Sequence, residues 1–428
     1  MKRRRGRRWI TASLAVLATL AGIVLVANLT STERKIEHQI PHVAATGDGD
    51  FRRAMGNLLG PPLVGGNRVT VLRNGDEIFP SMLEAIRGAK ETITFENYIY
   101  WSGQVGHEFS VALAERARNG VRVHVLLDWV GAGKMDAADL ERMEKAGVQV
   151  EKYHPLRWYA LSRLNHRTHR RLLVVDGRVG FTGGAGIGDE WLGNAQDPDH
   201  WRESHFRVEG PVAAQMQAAF MDNWMKTHAV VLVGEDYFPP LSRSGEMTAQ
   251  LFKSSSREGS ESVRLMYLLS IASARRNIRL AASYFVPDDL AVAAFVEARR
   301  RGVAIEIVLP GDRVDAELTR RASRSRWGDL LQAGVEIYEY QPTMYHCKVM
   351  VVDDAWISVG STNFDDRSFR LNDEANLNVL DRGLAAALTS DFESDKAKSR
   401  KITYAEWRHR PWREKLVEFA AGLFRSQL

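Results

Sequence analysis

Apolar residues occur as one long run near the N-terminus and then as many short runs separated by amphipathic stretches. Residues 9–29 contain no charged side chain. A helix of that length measures about 31 Å, which matches the apolar thickness of a bilayer. From residue 67 onward, helix-period patterns alternate with short runs rich in Val, Ile and Leu. This alternation predicts an α/β fold whose strands are buried on both faces.

The alternation is repeated, because three segments of the first half have counterparts in the second half, in the same order. A helix before a β-rich run, a helix end with a glycine stop, and a glycine-led strand all recur. The paired segments are 85–93 with 270–278, 117–121 with 300–303, and 146–148 with 333–335. We therefore interpret the chain as two copies of one α/β unit.

The predicted fold is α/β, with two duplicated lobes whose mixed, largely parallel sheets are related by a pseudo-two-fold axis. An N-terminal transmembrane helix precedes the lobes. The Pro- and Ser-rich stretch 239–245 separates the copies. We expect a basic cytoplasmic tail, a transmembrane signal anchor, a juxtamembrane linker with a short helix, two lobes and a C-terminal amphipathic helix. Their respective bounds are 1–8, 9–29, 30–66, 67–240, 241–400 and 401–428.

Composition and net charge exclude several classes of protein and of site. The chain has 428 residues, 45% of them hydrophobic and 26% charged, which is ordinary globular composition. The formal net charge is +5, but six cations fall within the first eight residues, so the body is close to neutral. A neutral body lacks the charge expected of a non-specific nucleic-acid binder. The single cysteine, Cys347, excludes an internal disulfide and a Cys-based zinc cluster.

One spacing of chemistry-bearing residues occurs in both copies. A histidine is followed two residues later by a cation, then by four apolar residues and an aspartate. A glycine-led turn begins seven residues after that aspartate. The matching residues are His169, Arg171, Asp176 and 183–186 in the first copy, and His346, Lys348, Asp353 and 360–363 in the second. A purely structural role for each histidine would not explain why the same residue types recur at the same spacing in both copies.

These residue types suit phosphate chemistry. Residues two apart on a strand project from the same side, so each histidine and its cation can address one ligand. Histidine can act as nucleophile or proton carrier, and lysine or arginine neutralises phosphate oxygens. We expect the aspartates to fix the imidazole tautomers by hydrogen bonding. From the turns, we expect Gly184, Ser361 and Asn363 to approach the phosphate.

At these residues the sequence resembles the phospholipase D superfamily, which has two His-x-Lys-x4-Asp motifs, and within it the bacterial cardiolipin synthases. The resemblance covers residues 67–428. Arg171 stands where the family has lysine, and Gly186 stands where the second copy keeps Asn363. Further phrases that carry the resemblance are residues 165–171, 181–184, 284–288, 345–346, 360–365 and 367–374.

The resemblance implies a mechanism without metal or other cofactor. One histidine attacks the phosphorus of a phosphodiester and forms a phosphohistidine, while the other protonates the leaving alcohol and later deprotonates the incoming one. His169 is expected to be the nucleophile and His346 the acid/base, although the near-symmetry of the copies leaves this assignment open. Arg171 and Lys348 are expected to neutralise the non-bridging oxygens.

The implied substrate is a phospholipid. We expect phosphatidyl transfer between two phosphatidylglycerol molecules, which gives cardiolipin and glycerol. Hydrolysis of a phospholipid by water is the alternative, followed by a phosphodiesterase or nuclease activity and by a catalytically impaired membrane scaffold. A membrane is the expected partner and nucleic acid is not, whereas the oligomeric state and the acceptor alcohol stay open.

Membrane placement follows from the charges around residues 9–29. The run is longer than the usual core of a signal peptide, so an uncleaved anchor is favoured over a cleaved one. Six cations precede it, and only Arg34 and Lys35 closely follow. The positive-inside rule then places the N-terminus in the cytoplasm and the catalytic domain on the outer face of the membrane. The resemblance implies that this membrane is the bacterial inner membrane.

Two further segments are candidates for membrane contact. Before the motif histidine, the first copy has an insert at 156–168, whereas the second has only 343–345. The insert mixes Trp158, Tyr159 and Leu161 with basic residues, which suits either a bilayer interface at the active-site mouth or a core between the lobes. Residues 412–428 carry apolar side chains at helical spacing, which suits a packed terminal helix or an amphipathic one.

Overall fold

The described residues form one sheet of fifteen strands with helices on its faces. A computed structural model describes residues 2–29, 36–42, 44–156, 165–255 and 261–427. The strands are β1 Val64–Arg73, β2 Thr92–Asn97, β3 Arg122–Asp128, β4 Gln149–Tyr153, β5 Leu172–Val175, β6 Val179–Gly183, β7 Ser204–Glu209, β8 Met247–Ser254, β9 Asn277–Ala282, β10 Ala304–Pro310, β11 Glu336–Tyr340, β12 Lys348–Val352, β13 Trp356–Gly360, β14 Glu374–Leu380 and β15 Ser399–Ile402.

The helices flank this sheet and alternate with its strands along the chain. They are α1 Lys2–Leu29, α2 Gly49–Leu59, α3 Asn74–Gly88, α4 Gln104–Arg118, α5 Ala137–Lys145, α6 Ala213–His228, α7 Ser262–Ser273, α8 Asp289–Arg300, α9 Glu317–Arg324, α10 Trp327–Gln332, α11 Asp366–Arg370, α12 Arg382–Ala397, α13 Tyr404–His409 and α14 Trp412–Gly422.

The strand order shows the duplication directly. Across the sheet it runs β15-β11-β10-β9-β12-β13-β14-β8-β1-β7-β6-β5-β2-β3-β4. Read outward from the central β8–β1 pair, the seven strands of one half have the same order as seven strands of the other half. The two copies are therefore related by a pseudo-two-fold axis through the middle of the sheet, and they share that sheet instead of forming two separate ones.

The prediction of largely parallel sheets is wrong. Only β2-β3-β4 and β9-β10-β11 are parallel, and the remaining pairs are antiparallel. The motif strands β5 and β12 each turn straight back into a neighbour, through residues with left-handed backbone at Asp176 (φ 51°) and Asp353 (φ 53°). Helices bury both faces of these hairpins, so their apolar runs resemble those of parallel strands.

A central core joins the two halves. Buried side chains of both copies pack in one cluster, including Val69 and Phe206 from the first half and Val349 and Leu377 from the second. Two larger clusters lie farther out, one in each half. Because the central cluster draws on both copies, the halves fold against one another and fix the geometry of what lies between them.

The chain ends differ from the sequence-based expectations. Helix α1 covers residues 9–29, and its apolar side chains from Trp9 to Val24 are exposed. Within the described ranges, no helix is both long and apolar enough to span a bilayer, so the structure does not support the transmembrane assignment. The expected single helix at 401–428 is instead an edge strand, β15, followed by the separate helices α13 and α14.

Candidate active site

A cavity of about 430 Å³ lies where the two halves meet, beyond the ends of β2 and β3. Both motif histidines, His169 and His346, line it, together with Arg171 and Asn363. His169 lies three residues before β5 and His346 lies two residues before β12, so these strands position the two imidazoles at one cavity. The structure thus brings together the two histidines that the repeated spacing singled out.

Each histidine is held by the backbone of the opposite half. The amide of His169 donates to the carbonyl of Asp373 (2.8 Å), and the amide of His346 donates to the carbonyl of Arg202 (2.8 Å). Short parallel bridges join the same segments, Thr168 with Asp373 and Arg202 with Tyr345. The two imidazoles are therefore positioned by contacts across the pseudo-two-fold axis, not by their own half alone.

Two buried glutamates orient the imidazoles. Nδ1 of His169 donates to Oε1 of Glu374 (2.9 Å), and Nδ1 of His346 donates to Oε2 of Glu203 (2.6 Å). Both carboxylates are fully buried, and each belongs to the half opposite its histidine. A proton held at Nδ1 leaves Nε2 of each ring as the nitrogen that carries the lone pair. Both rings can then present Nε2 for attack on phosphorus or for proton transfer.

The expected role of the motif aspartates is therefore wrong. The Asp176 carboxylate accepts backbone N–H bonds from Glu91 (2.8 Å) and Thr92 (2.9 Å), and the Asp353 carboxylate accepts one from Arg276 (2.7 Å). Each aspartate thus fastens the hairpin turn that follows its motif strand to the start of the adjacent strand, β2 in the first half and β9 in the second. Their function in the structure is to hold the motif strand in register.

The two glutamates cannot be found from the repeated spacing, for an identifiable reason. Glu203 and Glu374 lie at the starts of equivalent strands, but the intervals from His169 to Glu203 and from His346 to Glu374 differ. A search for identical spacing cannot pair them. The signal that could have found them is an acidic residue at the first turn-to-strand boundary after each glycine-led turn, in a segment that is otherwise apolar.

The two motif cations lie beside their histidines. A guanidinium N–H of Arg171 donates to Nε2 of His169 (3.1 Å) and to its carbonyl (3.0 Å). The ammonium of Lys348 donates to Oγ of Ser283 (2.7 Å) and to the His346 carbonyl (3.1 Å). Arg171 makes the same contact with the carbonyl of its histidine as Lys348 makes in the other half, so it retains that contact and the charge of a motif lysine.

Burial sets the protonation of this cluster. Burial, with Arg171 nearby, lowers the pKa of His169 to about 4, and burial with Lys348 nearby holds the pKa of His346 well below its usual range. Burial also lowers the pKa of Lys348 to about 8. Both imidazoles are consequently neutral in the free protein at pH 7, and the lysine is mostly charged. A neutral imidazole is the form that can act as a nucleophile.

Of the three residues expected to bind phosphate from the turns, one faces the cavity. Asn363 lines it, and its buried Oδ1 has no hydrogen-bond partner within the described ranges. Ser361 instead donates its hydroxyl to the Glu374 carboxylate, and a Cβ at Gly184 would collide with the Glu203 carboxylate. These two small residues make room for the glutamates and support them, so the prediction is wrong for Gly184 and Ser361.

Aromatic rings distinguish the two histidines. The Tyr98 ring lies 5.1 Å from the His169 ring, centre to centre, and the Trp201 and Trp191 rings lie 5.4 Å from that of His346. Tyr98 directly follows β2, and Trp191 and Trp201 lie between β6 and β7, outside the two His-cation-Asp motifs. These rings cover the imidazoles and help to exclude water. Among the described residues, no group of three or more His, Cys, Asp or Glu side chains could hold a metal ion.

Comparison with known proteins identifies the family. Residues 82–224 and 267–396 match the family described as cardiolipin synthase, PLD-like domain. The chain is 35% identical over 360 residues to a cardiolipin synthase of Geobacillus kaustophilus, covering 83% of this chain and 72% of that protein. The chain belongs to the phospholipase D-like cardiolipin synthase family. It is also 34% identical over 348 residues to the major cardiolipin synthase ClsA of Bacillus subtilis, covering 81% and 72% respectively.

A solved structure shares the fold of this cardiolipin synthase family member. The crystal structure of phosphatidylserine synthase from Haemophilus influenzae Rd KW20 matches with a TM-score of 0.69, covering 89% of this chain and 100% of that chain. At 16% identity, this similarity concerns the fold alone. The resemblance drawn from the two motifs is confirmed by the family match, which includes both motif histidines.

Proposed function

We propose that the protein transfers a phosphatidyl group from one phosphatidylglycerol to the free terminal hydroxyl of a second, giving cardiolipin and glycerol through a phosphohistidine. One observation carries this proposal: two imidazoles line one cavity, and each is held at Nδ1 by a buried glutamate of the other half. Two Nε2 atoms at one site suit a reaction that needs a nucleophile and a separate proton carrier. The family membership supports the choice of product.

In the first step, Nε2 of His169 attacks the phosphorus, the P–N bond forms and the bond from phosphorus to the glycerol oxygen breaks. His346 supplies the proton to that oxygen. In the free protein Arg171 donates to Nε2 of His169; phosphate oxygens, as stronger acceptors, draw this N–H away and free the lone pair. The bound phosphate anion also raises the pKa of His346, and Glu203 stabilises the imidazolium.

In the second step, the hydroxyl of the acceptor loses its proton to His346 and its oxygen attacks the phosphorus. The P–N bond breaks, and His169 is regenerated. Arg171 and Lys348 neutralise the non-bridging oxygens, whose charge grows in both transition states. Asn363 offers its side-chain amide to the same phosphate, because it faces the cavity and its Oδ1 has no hydrogen-bond partner in the part of the chain that is described.

We also propose that the protein works at a bacterial membrane surface. Helix α14 packs on α9, where Glu418 pairs with Arg324 (3.1 Å). Trp412 and Phe419 of α14, and Leu423 directly after it, point outward and are 64–69% exposed. Just beyond it, Gln427 lines the cavity. An apolar helix face beside the cavity mouth suits insertion between lipid headgroups. The apolar side chains of α1 offer a second contact.

The test uses the purified full chain and vesicles of phosphatidylglycerol, with products identified by mass spectrometry. We expect equal amounts of cardiolipin and glycerol. Phosphatidic acid in place of cardiolipin would show that water is the acceptor and would refute the transferase assignment. No conversion of any phospholipid, by protein whose folding is confirmed by circular dichroism, would refute a catalytic function altogether.

A further inference from the structure

Three cations outside the two motifs line the same cavity: Lys134, Arg167 and Arg367. Among the described residues, none of them forms an ion pair with a carboxylate. Elsewhere the arginines of the protein are mostly paired, and Arg170, for example, binds Asp222 (3.0 Å). Cations that line a catalytic cavity without a carboxylate partner are available to an anionic ligand.

Arg367 is fixed in place by neutral groups. Its guanidinium donates to Oδ1 of Asn165 (3.2 Å) and to the carbonyl of Gln427 (3.1 Å). It also donates to the Asn165 carbonyl (3.3 Å). These acceptors are neutral, so they hold the planar group without forming an ion pair. A guanidinium held in this way is preorganised for a phosphate, because little side-chain entropy is left to lose on binding.

Arg167 and Lys134 complete the group. Nη1 of Arg167 is buried and has no hydrogen-bond partner among the residues that the structure describes, and the Arg167 carbonyl accepts from the amide of Asp373 (2.8 Å). The Lys134 ammonium lies 4.4 Å from the centre of the Trp101 ring. A buried N–H without a partner is costly, so Nη1 has a strong requirement for an acceptor that enters the cavity.

Two carboxylates also line the cavity, and neither neutralises these cations by contact. Asp315 accepts the Tyr284 hydroxyl (2.7 Å). Asp365 accepts the amide of Ser368 (2.7 Å), and burial raises the pKa of Asp365 to about 7, which leaves it partly protonated at neutral pH. The cavity therefore carries more positive charge than one phosphodiester requires, because Arg171 and Lys348 already serve the phosphate at the histidines.

These additional cations do not belong to the repeated motifs, because the other copy has no cation at the positions that correspond to Arg167 and Arg367. Met344 occupies the position of the second copy that corresponds to Arg167, two residues before the motif histidine. Glu190 occupies the position of the first copy that corresponds to Arg367, four residues after the end of the glycine-led turn. The duplication thus explains the two motif cations but not these, which points to a need that arises once per reaction and not once per copy.

We propose that Lys134, Arg167 and Arg367 bind the phosphodiester of the acceptor lipid, while its terminal hydroxyl reaches the phosphohistidine. This inference rests on the proposed function. The transfer joins two molecules that each carry one phosphodiester, and only one of these can lie at the histidines. When the acceptor oxygen forms its bond to phosphorus, the P–N bond breaks and the hydroxyl proton passes to His346. Water and glycerol carry no such anion, so the three cations select an anionic lipid as the acceptor.

The experiment compares two acceptors for one donor. The full chain receives short-chain phosphatidylglycerol with labelled free glycerol, and two products are followed: cardiolipin, made with the anionic acceptor, and labelled phosphatidylglycerol, made by exchange with the neutral acceptor. Arg167→Gln and the double variant Arg167→Gln/Arg367→Gln are measured beside Arg178→Gln, a control in the β5–β6 turn, where the side chain bonds only the Pro240 carbonyl (3.2 Å) among the described residues.

We expect the ratio of cardiolipin formation to glycerol exchange to fall at least tenfold in Arg167→Gln and further in the double variant, and to stay at the wild-type value in Arg178→Gln. An equal loss of both products would overturn the inference, since the cations would then serve the donor or the fold. An unchanged ratio would overturn it as well. If the wild-type protein makes neither product, the failure lies in the proposed function and not in this subsite.

Discussion

The surroundings of His169 and His346 are alike where the chemistry demands it and different elsewhere. Each ring has a buried glutamate at Nδ1 and a cation that bonds the histidine carbonyl. Around this shared frame the cations differ, arginine in one half and lysine in the other, and so do the covering rings. Only the glutamate and the cation are therefore required at both histidines. The remaining contacts can differ, so that one half serves the donor lipid and the other serves the acceptor.

Removal of either histidine is expected to have the largest effect. His169→Ala and His346→Ala should each lower cardiolipin formation by roughly 10⁴-fold or more, because each ring carries bond-making or proton transfer. Labelled phospholipid and acid-labile phosphohistidine analysis separate their roles. We expect a trapped adduct in His346→Ala and none in His169→Ala. The opposite pattern would reverse the assignment of nucleophile and acid/base.

The glutamates should come next. Glu374→Gln and Glu203→Gln remove the carboxylate that fixes each tautomer, and we expect roughly a 10²–10⁴-fold loss of kcat with little change in melting temperature. Steady-state kinetics on phosphatidylglycerol vesicles would measure it. If Glu203→Gln leaves kcat intact while Glu374→Gln does not, only one histidine depends on an imidazolium partner, and the two halves are less alike than their geometry indicates.

Arg171 tests the altered motif. Arg171→Ala should cost about 2–4 kcal/mol of transition-state stabilisation, the scale of one lost electrostatic donor. Arg171→Lys should retain most of the activity, because Lys348 makes the same carbonyl contact in the other half. The comparison of kcat/KM for the three proteins measures both effects. An Arg171→Ala variant as active as wild type would show that the guanidinium does not reach the phosphate.

The pH profile separates the two cations. The pKa of Lys348 is lowered to about 8, so its ammonium is present below that pH and is lost above it. Since the charged form is the one that neutralises phosphate oxygens, kcat/KM should fall as the pH rises through about 8. Lys348→Arg should remove this alkaline limb, because a guanidinium stays protonated. A limb of unchanged position in Lys348→Arg would assign it to another group.

The motif aspartates should give the smallest effect on chemistry. Asp176→Ala removes an acceptor for several backbone N–H groups and places alanine at a left-handed position, so we expect a stability loss of about 1–3 kcal/mol. Thermal melting measures this loss, and Asp176→Asn serves as the milder control, since asparagine tolerates that backbone conformation. Loss of kcat at full stability would instead return Asp176 to the catalytic machinery.

The features that could be predicted from the sequence are those that occur in both copies. The two α/β copies, the histidines and their cations share one spacing, and the structure brings the histidines to one cavity. Strand direction could not be predicted in this way, because apolar runs buried on both faces look alike in parallel and antiparallel sheets. Glu203 and Glu374 were missed because their intervals from the histidines differ, and each acts across the axis, where neighbours in sequence give no guide.

That exchange of glutamates has a consequence for how such a chain can be built. A polypeptide with only one copy would hold a histidine and the glutamate meant for a partner's histidine, so two identical subunits could still complete one working centre. Identical subunits, however, must offer identical walls to both ends of the reaction. Joining the subunits in a single polypeptide releases them from that symmetry, and each is then free to evolve toward a different one of the two lipids that meet between them.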